Sequence, residues 1–270
     1  MALKKGTDNI VKVYRGATEI TKIYKGTELI YSASPSPQPT YSNKIYGHTR
    51  TASQTITLKV NGTSNSVTSD SSKYFELDCS GITITSLNQC AYNISQLGDI
   101  TFDVDTGACT DFQYICASCG YATLIDLSRL DLTHATGMGF RGMFYNAQSA
   151  EIRLPSSGLR NAGSLLNLQF LFYNCKQLAS IDASGLGNCD SVTNISGLFQ
   201  GCTALTSIDL SGVFFDFVNT TANNVFASCS SLTSVKVAGC ESSFINGIIS
   251  LLSTAGFTFT QSGDYLVKQS

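Results

Sequence analysis

A unit of 27 to 29 residues recurs through residues 87–240, and no other feature constrains the fold as much. Three copies are clear. Leu171-Phe172-Tyr173-Asn174-Cys175 is followed by Leu178 and Ile181-Asp182-Ala183-Ser184; Leu198-Phe199-Gln200-Gly201-Cys202 by Leu205 and Ile208-Asp209-Leu210-Ser211; and Val225-Phe226-Ala227-Ser228-Cys229 by Leu232 and Val235-Lys236-Val237. Upstream, Met143-Phe144-Tyr145-Asn146-Ala147 leads to Ile152-Arg153-Leu154 with one residue deleted, and Cys116-Ala117-Ser118-Cys119 leads to Ile125-Asp126-Leu127-Ser128. A degenerate first copy starts at Leu87-Asn88-Gln89-Cys90 and reaches Ile100-Thr101-Phe102. One copy is too short to bury its own apolar face, so the copies must stack.

The spacing therefore predicts an α/β repeat solenoid: a parallel sheet with short helices or turns, β-rich caps and a small N-terminal β meander. In Ser207-Ile208-Asp209-Leu210 the alternation turns Ile208 and Leu210 inward and Ser207 and Asp209 outward. The stretch Asn194-Ile195-Ser196-Gly197-Leu198-Phe199 is expected to make a helical turn that lays its Leu and Phe on the sheet. Residues 41–86 hold Thr55–Val60, an Asn61-Gly62 turn and Tyr74–Leu77, the makings of a β-rich N-terminal cap. Residues 241–270 read as a C-terminal cap, with helical spacing over 244–252 and hairpin material over 257–267.

The N-terminus follows a different rule. Ile10-Val11-Lys12-Val13-Tyr14-Arg15-Gly16 is echoed by Ile20-Thr21-Lys22-Ile23-Tyr24-Lys25-Gly26, and a partial third copy ends at Tyr31. Three strands joined by tight turns are expected over 1–33, a sheet too small for a core of its own. Residues 1–31 carry six basic and three acidic side chains, whereas the remainder carries 11 basic and 16 acidic ones. Three of the four prolines fall within 34–40, which reads as a semi-rigid linker. The module is thus expected to anchor the chain through Val13, Tyr14, Arg15, Ile23, Tyr24, Lys25 and Tyr31.

The chemistry-bearing residues are sparse. Cys90, Cys119, Cys175, Cys202 and Cys229 read as one repeat position, occupied once by Ala147, and so as a column of small, reduced core thiols. Cys116-x-x-Cys119 has no second cysteine pair or histidine pair near it, and Cys116 falls in the Phe position. His48 and His134 are expected at the surface. No nucleophile elbow, phosphate loop or zinc-helix motif occurs, so no cofactor and no metal are expected. The outward strand positions give a row, Asp126, Arg153, Asp182, Asp209 and Lys236, expected to form a polar contact face, with Asp182 stacked beside Asp209. A net charge of −2 gives no case for nucleic acid, and no apolar run of about 18 residues suggests membrane insertion.

The wording Phe-x-x-Cys-x-x-Leu-x-x-Ile-x-Leu resembles the BspA-type leucine-rich repeats of bacterial surface proteins and of gut bacteria and their phages, over about residues 87–240. The Val-Tyr-x-Gly and Ile-Tyr-Lys-Gly duplication resembles short modules on structural proteins of Bacteroidales-infecting, crAss-like tailed phages. Together the resemblances imply a non-enzymatic virion protein, a head or tail fibre or appendage. It would dock on capsid or tail proteins through 1–33, present the repeats to a host-surface glycan or protein, and form a homo-oligomer. The N-terminus shows no signal peptide, so the chain is expected to be made in the host cytoplasm and built into the particle. A BspA-like bacterial adhesin is the alternative, and a polysaccharide depolymerase using Asp182 and Asp209 is the third reading.

Overall fold

The computed structural model describes residues 41–120, 122–155, 167–187, 189 and 191–269, together with the backbone alone of 164–165 and of four short strands within 1–40. The chain divides into two compact units, Met1–Thr40 and Tyr41–Ser270.

In the first unit β1 (Tyr14–Arg15) pairs antiparallel with β2 (Thr18–Glu19), and β3 (Lys22–Lys25) with β4 (Glu28–Ser32). The expected meander is therefore, among the described residues, a pair of small antiparallel hairpins. Each Tyr-basic-Gly motif leads from one strand of a hairpin towards the other (Arg15↔Thr18, Lys25↔Glu28) instead of separating long strands. Val13 and the 34–40 linker lie outside the described residues.

The second unit is a β-solenoid of about five turns. Its N-terminal cap comprises β5 (Lys44–Thr49), β6 (Thr55–Val60), β7 (Thr63–Thr68) and β8 (Tyr74–Asp78). Asn61 and Gly62 both take positive φ, the tight-turn geometry that two-residue hairpins need. The rungs of the strand wall follow: β9 (Leu97–Asp103), β10 (Leu124–Asp126), then, beyond the short β11 (Thr136–Gly137), β12 (Glu151–Arg153); and, past β13 (Ser164–Leu165), β14 (Ser180–Asp182), β15 (Ser207–Asp209) and β16 (Ser234–Lys236). The C-terminal cap is α1 (Ser242–Thr254) with the hairpin β17 (Phe259–Ser262) and β18 (Tyr265–Lys268).

The repeats are not the α/β leucine-rich architecture that their spacing predicts. Among the described residues the one α-helix is α1, in the cap, and the segment opposite each strand is a run of turns. Positive φ recurs four residues apart in every copy: Gln89 and Asn93, Tyr114 and Ser118, Gly142 and Asn146, Phe170 and Asn174, Gly197 and Gly201, Asn224 and Ser228. A continuous α-helix admits none of these. Alternate N–H groups close local turns, as Leu198 to Ile195 and Cys202 to Phe199, while those between donate to the next coil, as Phe172 to Leu198 and Phe199 to Val225. This turn wall holds the stacked Phe144, Phe172, Phe199 and Phe226, with centroids 5.3, 5.4 and 5.8 Å apart and planes within 9°.

Ile125, Ile152, Ile181, Ile208 and Val235 point inward from the rungs and are buried, as the alternation requires. The parallel sheet is nonetheless interrupted. One sheet runs β12-β10-β9-β5-β8 and another β14-β15-β16-β18-β17, with no ladder between β12 and β14 among the described residues. Each outer end closes with an antiparallel strand, β5 on β9 and β18 on β16. The end of the turn wall is met by β6, whose Lys59 N–H donates to Cys90 O. At the other end α1 brings Phe244 against Phe215 and Phe217.

The cysteine column also needs a correction. Ala91 donates to Ile115 O, which places Ala91 level with Cys116 and Ile94 level with Cys119; Cys90 lies four residues off, in the Leu171 and Leu198 position. A first copy lacking the Phe gave no aromatic to fix its register. In the true column Cys119, Cys175, Cys202 and Cys229 each donate their thiol to a carbonyl of the preceding coil (Ala91, Phe144, Phe172 and Phe199, 2.9–3.1 Å).

Candidate functional site

Two-residue periodicity leaves each three-residue rung two outward positions. The second of these carries the predicted row. Asp126 pairs in register with Arg153, Asp182 with Asp209, and Asp209 with Lys236. The structure thus brings Asp182 beside Asp209 as expected, but the break between β12 and β14 splits the row in two.

In the first part Arg153 bridges Asp126 (3.4 Å) and Glu151 (2.6 Å). In the second Lys236 holds Asp209 at 2.9 Å. The recurrent Asp-x-Ser wording has a local cause: Asp126, Asp182 and Asp209 accept the backbone N–H two residues on, at 2.8, 3.0 and 2.9 Å, which turns the chain at the end of each rung. Partial burial pushes the Asp209 carboxyl up, but the Ser211 hydroxyl and the Lys236 ammonium outweigh it and hold its pKa below the usual carboxylate value. A hydrolase acid needs the opposite shift.

Two depressions lie on this face. A cleft of about 560 Å³ fills the gap between β12 and β14, lined by Glu151, Arg153, Pro155, Ser180, Asp182 and Ser184 over Ile152 and Ile181. A shallower one of about 360 Å³ spans β14 to β16 and is lined by Asp182, Asp209, Lys236 and the column Ser180, Ser207, Ser234, with Tyr265 from the cap. Tyr265 is 45% exposed. The row read from the sequence leaves out this first outward position, to which the same alternation assigns Glu151, Ser180 and Ser234 along with Ser207. Tyr265 could not be found that way, because only the antiparallel pairing Lys236↔Tyr265 brings it here. Hydroxyls, carboxylates, two cations and one aromatic ring thus lie together on this face.

His48, on β5, is exposed and lies 3.0 Å from Asp99; His134 is exposed beside Asp131. The ten cysteines are free thiols, nine of them buried, and burial pushes the Cys229 thiol up to about 12 and Cys79 and Cys109 to about 11. Such thiols are poor nucleophiles and poor metal ligands. Among the described residues no cluster of His, Cys, Asp and Glu has metal-binding geometry, and no helix is long and apolar enough to cross a membrane. Of the anchor residues Tyr14, Arg15, Ile23, Tyr24, Lys25 and Tyr31 the backbone alone is described, on β1, β3 and β4. No family model matches the chain, and no curated protein or solved structure matches it.

Proposed function

We propose that this chain is a non-enzymatic structural and adhesion protein of a phage virion, a head or tail fibre or appendage. The hairpin unit docks on a capsid or tail protein, and the solenoid, with BspA-like repeats, is displayed to the host surface. The observation that carries the reading is the division of labour along the chain: a small, basic pair of hairpins, then a proline-rich stretch, then a solenoid capped at both ends. The outward row supports contact rather than catalysis, because its acids are taken up by strand-end turns and by Arg153 and Lys236.

The test uses particles lacking this product and fluorescently labelled full-length chain. Saturable co-sedimentation, abolished when residues 1–40 are removed, is the expected result. Binding that survives their removal would move the docking surface to the solenoid, and no binding to any particle would leave the bacterial-adhesin reading ahead.

A further inference from the structure

On the turn wall the outward side chains form a second patch, chemically unlike the strand-wall row. Tyr145 and Tyr173 stack at 4.8 Å with planes 7° apart, and Phe170 meets both edge-on at 6.2 and 5.3 Å. Tyr114 joins Tyr145 at 6.5 Å. All four rings are half-buried. Alternate glycines make room for them. A Cβ on Gly142 would lie 2.4 Å from the Tyr114 ring, and one on Gly197 2.6 Å from Phe170. The rings thus pack closely against the backbone, and an amide pair lies beside them, with Asn174 Nδ2 donating to Asn146 Oδ1 at 2.7 Å. The Tyr114, Tyr145 and Tyr173 hydroxyls have no protein partner among the described residues.

The charge on this wall is mostly positive. Segments 111–121, 138–149, 167–178 and 194–203 hold one acid, Asp111, whose carboxylate already accepts from Asn88 Nδ2 and the Gln113 N–H, against Arg141 and Lys176. Arg141 Nε is buried with no hydrogen-bond partner, and a buried guanidinium donor left unmatched is costly. The strand wall, in contrast, carries Asp99, Asp126, Glu151, Asp182 and Asp209, with Arg153 and Lys236 paired among them.

We infer that the turn wall around Tyr145, Tyr173 and Arg141 binds an anionic polysaccharide, one whose sugars carry carboxylates. Arg141 takes the carboxylate, the phenol hydroxyls and amides bond sugar hydroxyls, and the rings pack against C–H surface. An acidic peptide fits less well. It would bind by pairing its backbone, and the turn wall's own N–H groups are spent on local turns and on the next coil. This inference deepens the reading of the solenoid as a host-contact element, but it does not depend on the virion.

The test is affinity electrophoresis of the purified full chain in gels containing polygalacturonate, alginate, hyaluronate or polysialic acid, with dextran as the neutral control. The expected result is retardation by at least one of the acidic polymers and none by dextran. Arg141→Gln should weaken it about tenfold or more, and Tyr173→Phe, which keeps the ring, by a smaller factor, with melting temperatures unchanged. Arg153→Gln on the strand wall should leave it intact. No retardation by any of the four polymers, or retardation indifferent to Arg141→Gln and Tyr173→Phe, overturns the inference. Binding to polyglutamate in preference to all four would replace the sugar with an acidic protein. None of these results bears on the particle-docking experiment, so the two readings fail separately.

Discussion

The turn wall carries its hydrogen bonds from coil to coil through all six copies, while the strand wall stops between β12 and β14, and one stretch of chain accounts for both. From Phe144 to Ile152 is eight residues where the later copies use nine, and from Ile152 to the next stacked ring, Phe172, is 20 where they use 18. The third coil therefore delivers its rung out of step with the fourth. A three-residue rung has few bonds to lose, so it parts and leaves the cleft beside Arg153 and Asp182. The turn wall is pinned by ring stacking and by left-handed residues at fixed positions, each Phe adding roughly 1.5–3 kcal/mol of burial. It holds its register across the same defect. The turn wall is the spine of the solenoid, and the strand wall is its adaptable face.

That contrast can be broken most directly at Phe172, in the middle of the stack. Phe172→Ala should cost about 3–5 kcal/mol, against about 0.5–1.5 kcal/mol for Ile152→Val at the interrupted rung. Denaturant midpoints at unchanged slope are the measurement. Equal losses would deny the turn wall its role as spine.

A smaller effect sharpens the account of how the spine is built. Gly197→Ala meets both the Phe170 ring and a φ of 65°, whereas Gly212→Ala, at φ 66°, has open space around it. Both should pay the backbone strain of about 1–2 kcal/mol, and Gly197→Ala should lose about 1–3 kcal/mol more. Adding Phe170→Ala should recover part of that excess in a double-mutant cycle, and purely additive losses would show that the ring and the glycine are not coupled.

The smallest effect belongs to the strand wall. The Asp209 pKa is depressed in the folded chain, so its contribution is present above the unfolded value of about 4 and is lost as pH falls through the folded value. Melting temperature should therefore decline below about pH 4, and Asp209→Asn should flatten part of that decline while lowering stability slightly at pH 7. A half-exposed pair of this kind is worth about 1 kcal/mol or less. An unchanged acid limb would show that the Lys236 pair contributes nothing.

Much of this was legible in residue order. The 27-residue period forces stacking, the Ile-Asp-Leu alternation decides which side chains face the core, and Asn61-Gly62 specifies its hairpin, because these depend on short-range geometry that the residues carry with them. The outward row could be written down for the same reason, although of the serines beside it the alternation was applied to Ser207 alone. Helical turns were expected where tandem turns occur, because Leu and Phe at such spacing suit both, and the deciding bonds run to residues a whole coil away. The register of Cys90 failed likewise, since it is fixed by bonds to the next coil, such as Gln89 to Gln113 and Ala91 to Ile115. The sequence by itself determined that this chain stacks and which faces it buries. The tertiary structure alone decided how each coil turns, where the sheet parts, and that Tyr265 joins one wall while Tyr114, Tyr145, Phe170 and Tyr173 gather on another, because those are contacts between coils that no local pattern encodes.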